Sequence, residues 1–65
     1  MKVLLKEVMH EKGISYRRLA ILTGIKRSTL HDIATEKTSP RLNDLEAIAE
    51  KLEVKIADLY ESEYK

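Results

Sequence analysis

The sequence predicts an all-α protein folded as a compact five-helix bundle, and three observations carry that reading. Apolar residues recur at helical spacing in five segments, with no strand-like alternation worth defending. Punctuation is sparse, with Gly13, Gly24 and Pro40 the only glycines and proline. At 65 residues and 43% hydrophobic content, the chain suits one small core, and folding at this size buries only about 60% of the extended-chain surface. Residues 1–65 are therefore expected to form a single domain, with 61–65 as a fraying tail.

The first helix is expected from about Lys2 to Lys12, where Leu5, Val8 and Met9 form an apolar stripe and Gly13 offers a left-handed cap. Ser15 is a good N-cap for a short second helix over Tyr16–Thr23, which buries Leu19, Ala20 and Leu22 and stops at Gly24. A third helix follows from Lys26, through Ile33 and on to about Thr35. The polar run Glu36-Lys37-Thr38-Ser39-Pro40-Arg41 breaks the pattern, since Pro40 biases Ser39 away from helix. Asn43 and Glu46 read as a capping box opening the fourth helix, whose stripe is Leu45, Ile48, Ala49 and Leu52. A short fifth helix is expected from about Ile56 through Leu59 and Tyr60.

Composition removes several classes of function. Without cysteine there is neither a disulfide nor a thiolate zinc site, and His10 and His31 alone do not make a metal site. No apolar run approaches the ~18 residues of a membrane span, and the apolar start is too short for a signal-peptide core. A cytoplasmic location is the expectation, with no membrane, cofactor or small-molecule ligand in view. The chain also has no glycine-rich phosphate loop and no Ser/His/Asp set that so small a bundle could enclose, which argues against an enzyme. The net charge of +1 conceals a polarity. Residues 1–31 hold seven Lys/Arg against two Glu, whereas residues 32–65 hold five Lys/Arg against nine Asp/Glu. That division suits one anion-binding face and one acidic face.

The stretch Lys26–Ile33, KRSTLHDI, is the most informative. At about 100° per residue, Ile33 and Ala34 lie beside Leu30, while Ser28, His31, Asp32 and Thr35 point away and Arg27 flanks the helix start. A short helix held down by a few apolar residues and offering donors and acceptors outward suits a DNA major groove. A solvated surface helix has the same pattern in isolation.

Over about Val3 to Tyr60 the sequence resembles the Cro/repressor-type helix-turn-helix (HTH) family of phage and bacterial transcription regulators. The resemblance rests on Gly13-Ile14-Ser15, Leu19-Ala20 with Gly24-Ile25, Ser28-Thr29-Leu30 with Ile33, and Ser39-Pro40 followed by Leu42, Leu45, Ile48-Ala49, Leu52, Val54, Ile56 and Leu59. It implies a lambda-repressor-like bundle with the HTH at about 15–35, acting as a Cro-like transcriptional regulator, a repressor, on a double-stranded DNA operator. It further implies base contacts from Arg27, Ser28 and Asp32, with His31 either a contact or a bystander. Arg27 suits guanine O6/N7, and Asp32 suits cytosine N4, repulsion of wrong registers, or plain solvation. Phosphate contacts are implied for Ser15, Tyr16, Arg17 and Lys26, and for Lys37, Thr38, Ser39 and Arg41 in the following loop, although some of these can be ordinary surface cations. A homodimer is implied through Val54, Ile56, Tyr60 and Tyr64, the two tyrosines being spaced i, i+4. The competing reading has Tyr60 capping its own core.

Three departures from the family pattern stand out. Met9 and Ala34 replace an Arg–Glu ion pair, so Met9 is expected to pack near Ala34. Thr35-Glu36 stands where Asn-Gly is usual, and Tyr16 where a phosphate-touching Gln is usual. The rival function is an antitoxin or co-activator-type adaptor that works through protein contacts.

Overall fold

The computed structural model describes residues 2–64. Its elements are β1 (Lys2–Val3), α1 (Leu5–Lys12), α2 (Tyr16–Thr23), α3 (Arg27–Ala34), α4 (Leu42–Leu52), a 3₁₀ turn (Ile56–Leu59) and β2 (Tyr60–Glu61). The fold is mostly helical, with four α-helices among the described residues rather than five.

Both ends of the helical reading change for one reason. Lys2 and Val3 do not begin the first helix; they pair antiparallel with Glu61 and Tyr60. The Leu4 amide continues this link by donating to the Leu59 carbonyl at 2.8 Å. The expected fifth helix closes after one 3₁₀ turn, in which the Asp58 carboxylate accepts from the Lys55 amide, and Tyr60 is then extended at φ −153°. Glu61 is thus part of a strand and not of a frayed tail; Lys65 lies outside the described residues. Two-residue strands have no periodicity to detect, and their pairing joins opposite ends of the chain.

The helix ends follow local chemistry. Gly13 (φ 65°) and Gly24 (φ 76°) adopt the left-handed conformation at the C-termini of α1 and α2, which glycine enters without steric penalty. The Ser15 hydroxyl accepts from the Arg18 amide at 3.1 Å, capping α2 as expected. The expected capping box at Asn43 is absent. Helix α4 already begins at Leu42, with extended Arg41 as N-cap and no side-chain cap. After the restricted Ser39-Pro40 step only extended Arg41 intervenes before the helix, which places Asn43 inside the first turn, too late to cap.

The core consists of Val3, Leu5, Val8, Met9, Leu19, Leu30, Ile33, Leu45, Ile48, Ala49, Leu52 and Leu59. Every expected stripe residue of α1 and α4 is in it. On α2 only Leu19 is fully buried; Ala20 is half-buried against the core and Leu22 is half-buried. Met9 is buried and Ala34 packs against the same cluster, so an apolar pair occupies the place of the family's ion pair without stranding a charge. Among the described residues, no helix is long and apolar enough to cross a membrane.

Candidate nucleic-acid interface

The site is built on the α2–turn–α3 unit. Leu19, Leu30 and Ile33 are at most 1% exposed and pin both helices to the core. Ile25 packs against that core from the turn. Thr23 clasps the turn: its hydroxyl donates to the Leu19 carbonyl at 2.8 Å and accepts from the Ile25 amide at 3.2 Å. The Gly24 amide donates to the Ala20 carbonyl at 2.9 Å. Turn geometry is thereby fixed from both sides, which sets the angle at which α3 leaves the body.

With one face of α3 buried, the opposite face is defined. Arg27, Ser28, His31 and Asp32 line one concavity of about 530 Å³, and Tyr16 from the start of α2 forms its far wall. These four α3 residues are spaced i, i+1, i+4 and i+5, one stripe of a helix. Arg27, Ser28 and His31 are exposed and Asp32 is half-buried. The Tyr16 and His31 rings meet edge to face, with centroids 5.5 Å apart and planes at 68°. Tyr16 is itself half-buried against the core, so its ring is the anchored member of the pair.

Anion-binding groups flank the residues of this concavity along the chain. The first amides of α2 have no i−4 carbonyl to serve, and they carry the positive end of the helix dipole. Arg17, Arg18, Lys26, Arg27, Lys37 and Arg41 are all exposed, and among the described residues none is in an ion pair. The loop after α3 carries Lys37, Thr38, Ser39 and Arg41, all exposed, outside the concavity.

The end of α3 is well defined. Glu36 takes a left-handed φ of 64°. Its amide donates to the Ile33 carbonyl at 3.1 Å, and the Lys37 amide donates to the Asp32 carbonyl at 2.9 Å. This is a Schellman cap made without glycine. The Glu36 carboxylate also accepts from the Val3 amide, tying the end of α3 to β1. The Thr35 hydroxyl turns back to the His31 carbonyl at 2.8 Å.

Residues 4–64 match the family of Cro/C1-type HTH DNA-binding domains, a span that includes every helix and the whole candidate interface. The chain belongs to that family. No curated relative matches it. Membership in this family makes DNA the ligand class of the domain. All four residues expected to contact bases share one surface, together with Tyr16. The residues expected at a dimer interface are less uniform. Val54 and Ile56 pack against the core, Tyr60 is half-buried in β2, and Tyr64 is 88% exposed. Tyr60 and Tyr64 are not helical neighbours, because the chain is extended at Tyr60.

Three features escaped sequence reasoning. The Thr23 clasp had a signal in the Thr-Gly pair at the end of a helix. The Glu36 cap had one in its occupying the place of the family's glycine. The Tyr16–His31 contact had none, because it depends on the angle between two helices.

Proposed function

We propose that this protein is a sequence-specific, double-stranded-DNA-binding transcriptional regulator that seats α3 in the major groove. The observation that carries the reading is the outward stripe of Arg27, Ser28, His31 and Asp32, set opposite buried Leu30 and Ile33 and bordered by unpaired cations. In helix-turn-helix docking the second helix of the motif directs its N-terminal residues to base edges. Arg27 would then take guanine O6/N7, with Ser28 and Asp32 reading neighbouring pairs. Ser15, Tyr16, Arg17 and Lys26 would hold phosphates on one side, and Lys37, Thr38, Ser39 and Arg41 on the other.

The protein then acts in the cytoplasm, without catalysis, as a repressor that occupies a short operator. One copy touches too few bases to mark a genomic site. A homodimer through the surface near Val54, Ile56, Tyr60 and Tyr64 doubles the contacts and sets half-sites about 34 Å apart. A second reading, an adaptor or antitoxin that docks a basic protein, draws on the exposed acidic residues Glu46, Glu50, Glu53, Asp58 and Glu63.

A salt titration of duplex binding in the presence of excess nonspecific competitor separates the two. The DNA-reading protein forms a specific complex whose affinity falls steeply as salt rises, through loss of counterion release. Absence of any specific complex at low salt would leave the adaptor reading standing.

A further inference from the structure

We propose that Tyr16 is a positioning residue for sequence discrimination, its ring fixing His31 in the reading position while its hydroxyl serves phosphate. This deepens the DNA-binding reading above and rests on it. An exposed imidazole on a helix ordinarily samples several rotamers. Here His31 meets the half-buried ring of Tyr16 edge to face at 5.5 Å. Tyr16 is anchored twice, by packing against the core and by the Ser15 cap that fixes the backbone at the start of α2.

The remaining groups lining the same concavity are Arg27, Ser28 and Asp32, and none of them is hydrogen-bonded to the His31 ring among the described residues. The ring is therefore positioned by shape and quadrupole and not by a polar partner, which leaves its N–H available for a ligand. A base edge presenting an acceptor, such as a purine N7, suits that donor. Specificity at the base step facing His31 thus depends on a residue of α2, outside the reading helix.

The two functions assigned to Tyr16 separate by substitution. Binding is measured for a preferred duplex and for duplexes altered at each base step, with wild type, Tyr16→Phe, Tyr16→Leu, His31→Ala and the Tyr16→Leu/His31→Ala double variant. Tyr16→Phe is expected to weaken binding to all duplexes alike and to keep the preference at the His31 step. His31→Ala and Tyr16→Leu are each expected to reduce that preference about two- to tenfold, the range of an aromatic pair. The double variant is expected to lose no more than either single one. Preference retained in Tyr16→Leu, lost in Tyr16→Phe, or reduced additively in the double variant overturns the proposal.

A second readout is independent of DNA. The His31 ring proton resonances of the free protein should move in Tyr16→Leu and stay near their wild-type positions in Tyr16→Phe. Unmoved resonances in a folded Tyr16→Leu variant also overturn the proposal. Failure of the wild type to prefer any duplex overturns the DNA-reading itself, while these resonances still report whether the ring contact exists.

Discussion

At Glu36 two effects of similar size oppose one another. Its left-handed φ of 64° costs a non-glycine residue about 1–2 kcal/mol, while its carboxylate accepts the Val3 amide, a bond to a charged group that contributes about 1.5 kcal/mol at the low end of its range. Glu36→Ala removes the bond and keeps the strain; Glu36→Gly removes both. Urea unfolding should therefore place wild type and Glu36→Gly close together and both above Glu36→Ala, the two variants differing by about 1–2 kcal/mol. Equal stability of the two variants would deny the strain. Arg27 and Lys37 give a second contrast at this scale. Arg27→Ala should lose about 1–3 kcal/mol of discrimination at one base pair, whereas Lys37→Ala should weaken all duplexes alike and lower the salt slope by about 1. Competition binding at several salt concentrations distinguishes these outcomes. The outward stripe on α3 was legible in the sequence because burial of Leu30 and Ile33 fixes it through helical period alone. The ring contact between Tyr16 and His31 was not, since period carries no information about the angle between helices.

Among the elements, α2 links the body to the interface, because its N-terminus holds Tyr16 and its C-terminus sets the turn into α3. Ser15→Ala removes the only side-chain cap on an α-helix among the described residues and should cost about 1 kcal/mol. For a chain of this size that corresponds to a fall in Tm of about 4–8 °C, measurable by circular dichroism; an unchanged Tm would show that the cap adds nothing. The stripes of α1 and α4 were readable from spacing. The β1–β2 pair was hidden because each strand has two residues and the partners lie at opposite ends of the chain. The start of α4 was misplaced for a local reason. Asn43 and Glu46 have the chemistry of a capping box, but the backbone is already helical at Leu42.

For the molecule as a whole, a net charge of +1 describes neither surface, since unpaired cations border the α3 stripe and exposed carboxylates dominate the second half of the chain. The central claim is that the α3 stripe reads sequence, and selection of bound duplexes from a random-sequence pool tests it most directly. The wild type should enrich a short motif, and Arg27→Ala, folded to the same Tm, should lose enrichment at one base pair within it. A wild-type pool that stays random through successive rounds at moderate salt would contradict it.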